Sequence, residues 1–286
     1  MKIAAVQMDV GFGEVERNLA SILQKYTEAH ANGAALTIFP ECALTGYGCD
    51  SLDEARQLAQ PIPGPATEAV AASCRRMNSF VVMGMIEAAG ERVFNAAVLI
   101  GPQGVVGTYR KIHLPYLGLD RFATHGDRPF AVHAASHVNV GMNICFDAGF
   151  PEAARCLTLL GADLVVLPTN WPSGAECMAD FGINTRAMEN NVYFAAVNRI
   201  GTERGFRFIG RSRICDPNGN TMAVAPADEA MVLYAEIDPS WARRKRIVRV
   251  PEKHIIDRLA DRRPEMYGSI TQPHQLPRPG RDGGIL

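Results

Sequence analysis

Gly33-Ala34-Ala35-Leu36-Thr37-Ile38-Phe39-Pro40 runs from a helix-ending glycine through a short apolar stretch to a proline. The phrase returns in the second half of the chain as Gly161-Ala162-Asp163-Leu164-Val165-Val166-Leu167-Pro168. A nearly continuous apolar run of this length reads as a strand buried on both faces. A helical pattern precedes each copy: 15–31, with Leu19, Ile22, Leu23 and Tyr26 on one face, and 151–160, which opens on Pro151. A second, looser echo follows. Arg76-Met77-Asn78-Ser79-Phe80-Val81-Val82 resembles Ala187-Met188-Glu189-Asn190-Asn191-Val192-Tyr193-Phe194. Helix, glycine, strand is a common phrase of α/β proteins, but two echoes in order predict two similar halves, each a sheet covered by helices on one face. No linker-like composition divides them. The expectation is therefore an α/β fold of two packed sheets in a single domain over 1–271. The tail, 272–286, is rich in Pro, Gly and Arg and is expected to lack regular structure.

The same reading places strands at 2–8, 35–39, 80–86, 93–100, 105–110, 138–144, 164–167, 192–197, 208–214, 221–225 and 231–237. Further helices are expected over 65–78 and 176–189.

Composition narrows the function. The 286 residues carry a formal net charge of −1, which removes the electrostatic case for nucleic-acid binding. Seven cysteines, an odd number at irregular spacing, do not form a disulfide framework and suggest a reducing, cytoplasmic setting. The apolar N-terminal run stops at Gln7 and Asp9, short of a signal-peptide core, and no run is long enough to span a membrane.

Three apolar runs end in reactive side chains: Glu41 after Phe39-Pro40, Lys111 after the 105–110 strand, and Cys145 after Val140-Gly141-Met142-Asn143-Ile144. A thiol at a strand-to-helix turn meets backbone N–H groups and the positive end of the next helix, which favour the thiolate. A carboxylate closing a buried strand needs a partner, and burial raises its pKa toward that of a general base. Strand alternation sends Arg110 and Lys111 to opposite faces, so that one can point into a pocket while the other reaches solvent. Each residue alone has a structural reading: a packed thiol, a salt-bridged carboxylate, a solvated lysine. Together they supply the parts for thiol-dependent attack on a carbon–nitrogen bond.

The ordered segments Phe39-Pro40-Glu41-Cys42-Ala43-Leu44-Thr45-Gly46-Tyr47, Tyr109-Arg110-Lys111-Ile112-His113-Leu114 and Gly141-Met142-Asn143-Ile144-Cys145-Phe146-Asp147 resemble the nitrilase superfamily of carbon–nitrogen hydrolases. Phe150-Pro151-Glu152-Ala153-Ala154-Arg155, Pro168-Thr169-Asn170-Trp171, Arg186-Ala187-Met188-Glu189-Asn190 and Asp261-Arg262-Arg263-Pro264-Glu265 extend the match over most of the chain. The resemblance implies a four-layer α–β–β–α sandwich, catalysis by Glu41, Lys111 and Cys145, and an oxyanion contact from the Phe146 backbone N–H. It implies no metal or organic cofactor, and assembly as a homodimer or larger homo-oligomer. Many members carry a second glutamate after the lysine segment. The nearest acid here is Asp120, one methylene shorter, which could orient Lys111 or substrate or simply pair with Arg121.

Tyr47, Tyr116, Asn170 and Trp171 are candidate substrate contacts, although a buried Trp is also ordinary core. His113, in a His-Leu-Pro context, reads as a packing histidine. Cys42, Cys49 and His113 lack zinc-site spacing. The Arg243-Arg244-Lys245-Arg246 cluster reads as a solvated helix face or an oligomer contact. True nitrilases usually place Trp-Glu after the cysteine, whereas Phe146-Asp147 stands here. That favours a small-molecule amidase releasing ammonia through a thioester. Hydrolysis of N-carbamoyl compounds is the alternative, with Arg121, Arg186 and Arg199 as unranked partners for a substrate carboxylate, and true nitrilase activity follows it. A non-catalytic interaction module is the reading from another class.

Overall fold

The computed structural model describes residues 1–281. The first half runs β1 (Lys2–Gln7), α1 (Val15–Ala31), β2 (Leu36–Ile38), α2 (Leu52–Leu58), α3 (Pro65–Met77), β3 (Phe80–Ala89), β4 (Arg92–Gly101) and β5 (Gly104–Arg110). The second runs β6 (Val132–Ala135), β7 (Val138–Met142), α4 (Pro151–Leu159), β8 (Leu164–Thr169), α5 (Ile183–Asn190) and β9 (Tyr193–Asn198). A short hairpin, β10 (Thr202–Glu203) and β11 (Phe206–Arg207), leads to β12 (Arg213–Cys215), β13 (Thr221–Val224) and β14 (Met231–Glu236). Then come α6 (Pro239–Arg243) and an outer hairpin, β15 (Arg246–Val250) and β16 (His254–Asp257).

Two six-stranded mixed sheets form, ordered β14-β1-β2-β3-β4-β5 and β13-β12-β9-β8-β7-β6. The echoed strands β2 and β8 each lie in the middle of a parallel triplet, β1-β2-β3 and β7-β8-β9. Alternation sorts the layers. Ile3, Ala5, Val82, Ala97 and Leu99 join residues of the second sheet in one core, while Val6, Val81, Met83, Val98 and Ile100 pack on Ile22, Tyr26 and Val70 of α1 and α3. On the far side, Leu157 of α4 lies against β7 so closely that a Cβ at Gly141 would sit 3.0 Å from it. The result is the expected α–β–β–α sandwich. The glycines that open the two phrases both take left-handed backbone, Gly33 at φ +85° and Gly161 at φ +93°. The second echo is structural as well: Asn78 and Asn191 are left-handed caps ending α3 and α5.

Several local expectations are corrected. The 208–214 strand is broken, because Gly210 and Arg211 turn into left-handed backbone in succession and Phe208 instead bridges Pro172. Proline ends the first phrase outside β2, but Pro168 lies inside β8, paired with Val197. By then β7 has ended, so the missing N–H leaves no ladder bond unmade on that side. The 176–189 helix forms but contains a π turn at Met178–Gly182. The basic cluster is not simply a solvated face: Arg243 clamps Asp163 at 2.7 and 2.9 Å, and Lys245 donates to the Asn190 and Asn191 carbonyls at the end of α5. α2 was not anticipated, although Ser51 accepts from the Glu54 N–H in the capping pattern its sequence offers. No helix among the described residues is long and apolar enough to cross a membrane. After Thr271, no helix or named strand occurs among them either.

Candidate active site

Glu41, Lys111 and Cys145 leave β2, β5 and β7 just beyond the last strand residues, and the fold gathers them. The loop carrying Glu41 crosses β3 at Gly84, where a Cβ would meet the Glu41 Cα at 2.6 Å, so this approach requires glycine. Lys111 extends the β4–β5 ladder by donating its N–H to Asn95 O at 2.8 Å. Its Nζ then donates to Glu41 Oε1 at 2.8 Å and to Asp120 Oδ2 at 2.5 Å, with all three side chains fully enclosed. Asp120 reaches the lysine despite its short side chain because the Gly118–Arg121 turn presses against Tyr47. Gly118 has φ +46°, and a Cβ there would lie 2.5 Å from the Tyr47 ring. The Tyr47 hydroxyl donates toward Asp120 Oδ2 at 2.9 Å and Leu117 O at 3.0 Å. Arg121 does not pair with Asp120; it donates to Cys49 O and Asp50.

Asn95 was missed from sequence. It sits in the middle of β4, and its amide donates to both carboxylates, Glu41 Oε1 at 2.7 Å and Asp120 Oδ1 at 2.9 Å. The signal was there: an amide inside the apolar run Val93-Phe94-Asn95-Ala96-Ala97 has to be hydrogen-bonded.

Two carboxylates and one ammonium in a closed space set the local charge balance. Burial pushes Glu41 above the usual carboxylate range; Lys111 opposes this, and the Asp120 charge adds to it. Burial works against the Lys111 charge, yet Asp120 and Glu41 outweigh it and hold the ammonium well above its ordinary value. Glu41 Oε2 is buried with no hydrogen-bond partner, which leaves a carboxylate lone pair unused.

Cys145 opens a 3-10 turn, Cys145–Gly149, and retains 7% exposure. Its φ of +45° is left-handed, as is the +47° of Cys42 beside Glu41. Such backbone costs of order 1–3 kcal/mol for a non-glycine residue and persists only where its surroundings fix it. The thiol is raised to about 12, chiefly by burial and further by Glu41, against the downward pull of Lys111, the Thr169 side chain and the Asn170 backbone. The balance of these effects runs toward the protonated thiol, against the pull of the turn toward the thiolate.

The remaining candidates separate. Phe146 follows Cys145 in the turn and is 43% exposed. Asn170 is fully buried, and neither polar atom of its amide finds a partner. Trp171 is buried in the main hydrophobic core. Tyr116 is at the surface, its ring packed against Gly280 of the tail. His113 does more than pack, bonding Asp147 through Nδ1 at 2.7 Å while stacking on Phe150. Arg186 and Arg199, like Arg121, are committed, to Glu189 and Ala148 O and to Asp9, Glu203 and Val10 O respectively. Among the described residues, no group of three or more His, Cys, Asp or Glu could hold a metal ion.

The family model for carbon–nitrogen hydrolases matches residues 2–246. Fold and family match together define a hydrolase of carbon–nitrogen bonds. A protein named nitrilase from Pyrococcus abyssi is 38% identical over 93% of this chain and 99% of its own. An (R)-stereoselective amidase from a Pseudomonas species is 31% identical over 95% of each chain. The crystal structure of an amidase from a Nesterenkonia species superimposes with a TM-score of 0.78 at 23% identity, covering 94% of this chain and 96% of that one, and so shares the fold. The chain belongs to the carbon–nitrogen hydrolase family of the nitrilase superfamily.

Proposed function

We propose that this protein is a thiol-dependent amidase of small, uncharged primary amides, releasing ammonia through a thioester on Cys145. The observation that carries the reading is the enclosed Glu41–Lys111–Asp120 cluster beside the thiol, with one Glu41 oxygen left free to accept a proton. Glu41 takes the Cys145 proton as sulfur attacks the amide carbon. Lys111 keeps its charge and, with the Phe146 N–H, holds the oxyanion. Glu41 gives the proton to the departing nitrogen, ammonia leaves, and the C–S bond remains. Water attacks the thioester with Glu41 again as base, and the acid and the thiol are restored. Asp120 keeps Lys111 charged and directed at the site.

Amide preference draws support from Phe146-Asp147 after the nucleophile and from related amidases, including the Nesterenkonia enzyme studied with acrylamide and with butyramide. Arg121, Arg186 and Arg199 are all engaged elsewhere, which disfavours N-carbamoyl amino acids, whose carboxylate would need a cation. Carbamoyl amines carry no such group and form the second reading; tomato N-carbamoylputrescine amidase is 30% identical over 89% of each chain. Assembly into homo-oligomers in the cytoplasm remains part of the proposal, checked by sedimentation and by cell fractionation. The deciding experiment incubates the purified protein with simple amides, carbamoyl amines and nitriles, and measures ammonia and carbon dioxide. Ammonia alone from amides, absent in Cys145→Ala, is expected. Carbon dioxide from carbamoyl compounds moves the assignment to the second reading, and full turnover by Cys145→Ala ends it.

A further inference from the structure

Asp147 lies two residues beyond Cys145, wholly buried, and accepts four hydrogen bonds. Its Oδ2 takes the Tyr109 hydroxyl and the Ile144 N–H, each at 2.8 Å. Its Oδ1 takes His113 Nδ1 at 2.7 Å and the His113 N–H at 3.3 Å. A carboxylate only accepts, so His113 carries its proton on Nδ1. Tyr109 and His113 stand two residues before and two residues after Lys111, while Ile144 and Asp147 bracket Cys145. One carboxylate therefore ties the segment that delivers the ammonium to the turn that delivers the thiol. The tie continues outward. The His113 ring stacks on Phe150 with centroids 3.7 Å apart and planes 6° apart, and Phe150 meets Phe146 edge-on at 5.2 Å.

We propose that Asp147, with Tyr109 and His113, is a positioning strut that fixes the spacing of Lys111 and the Phe146 N–H relative to the Cys145 sulfur. The strut touches neither substrate nor the reacting atoms. It rests on the assignment of Cys145 as nucleophile. Its physical basis is the left-handed Cys145 backbone, which the Ile144–Asp147 bond closes from both sides of the turn. Burial and the Asp147 charge together keep the Tyr109 phenol protonated, as a donor must be. A mere cap would need only the Ile144 bond; the three bonds from Tyr109 and His113 reach across to the end of β5 and the segment that follows it.

Four variants test this, each first shown folded by circular dichroism and sedimentation: Asp147→Asn, Tyr109→Phe, His113→Phe and His113→Asn. Asp147→Asn should lose about 100-fold in kcat, the order expected for a misplacement near 1 Å, with KM little changed. Alkylation of Cys145 by iodoacetamide, followed by peptide mass spectrometry, should slow in parallel. His113→Phe retains the stack on Phe150 without the donor, and His113→Asn retains a donor without the stack. The strut requires the Asn variant to be the more active of the two, even where the Phe variant melts higher. Should Asp147→Asn not fold, Tyr109→Phe and the His113 pair decide alone. Unchanged kcat and unchanged alkylation in the folded variants would overturn the strut, whatever happens to their melting temperatures. That result is separable from failure of the amidase reading, which appears as turnover by Cys145→Ala.

Discussion

The two echoed phrases end at equivalent positions with opposite chemistry. In the first half, Phe39-Pro40 is followed by Glu41; in the second, Leu167-Pro168 is followed by Thr169. Both residues are fully buried at the end of a central strand, and both reach Cys145. Glu41 raises the thiol's pKa and sits in a network of Lys111, Asn95 and Asp120. Thr169 lowers it and, like Asn170 beside it, has no hydrogen-bond partner of normal geometry. The repeated unit thus sets the position of a side chain, not its role. The first half gathers the charge, and the second supplies the thiol and the neutral Thr169 hydroxyl that acts on it.

The largest effect should come from the charged side. Glu41→Gln preserves shape and the bonds to Oε1 but removes the base, so kcat should fall by roughly 10²–10⁴-fold with the fold intact. Turnover within tenfold of the parent protein would erase the asymmetry between the halves.

Asp120→Asn should follow in size and gives a sign to check. The Asp120 charge is one of the groups that raise Glu41. Without it, Glu41 ionises more easily and remains a base to lower pH, so the acid limb of kcat/KM moves down the pH scale as the maximum falls. In the parent protein that limb should lie above the ordinary glutamate range, because Glu41 protonated below its raised pKa cannot accept the thiol proton. An acid limb that stays in place in Asp120→Asn would mean that Asp120 only props the turn.

Asn95→Leu comes third and reads on stability. It strips one donor from each of two enclosed carboxylates, a loss of about 1–3 kcal/mol per unmet group, visible as a lower melting temperature. Activity should drop with it, since Lys111 would then face two less-anchored partners.

That Asn95 escaped the sequence reading while Glu41, Lys111 and Cys145 did not has a physical cause. The three reactive residues end apolar runs, where a polar side chain breaks a pattern and its position is set by the strand. Asn95 lies within a run, and periodicity cannot say which polar group across the sheet it meets. The same limit applies to Trp171, equally apolar as core or as pocket wall. His113 and Asp147 meet from the segments that follow β5 and β7, and no spacing along one strand encodes that contact. Layering was more legible: Gly33, Gly161, Asn78 and Asn191 mark the same turns in both halves because left-handed backbone restricts the residue type. The broken 208–214 strand illustrates the reverse case, since Arg211 adopts φ +58° despite its side chain, and nothing in its identity announces this.

The smallest predicted effect, in Thr169→Val, discriminates most finely between the halves. Valine matches threonine in shape and removes only the hydroxyl. Thr169 Oγ1 is buried without a conventional partner, so its loss should leave the melting temperature unchanged or raise it. The same hydroxyl lowers the Cys145 thiol against burial, which leaves it at about 12. Without it the thiolate becomes rarer at neutral pH, and iodoacetamide should label Cys145 more slowly, with kcat reduced by under about tenfold because Glu41 still takes the proton. Stability held or gained while thiol reactivity falls is the pattern of a neutral group aimed at the sulfur. A melting temperature lowered as far as in Asn95→Leu, with labelling unchanged, would instead make Thr169 a structural partner like those around Glu41, and the two strand ends would differ in charge alone.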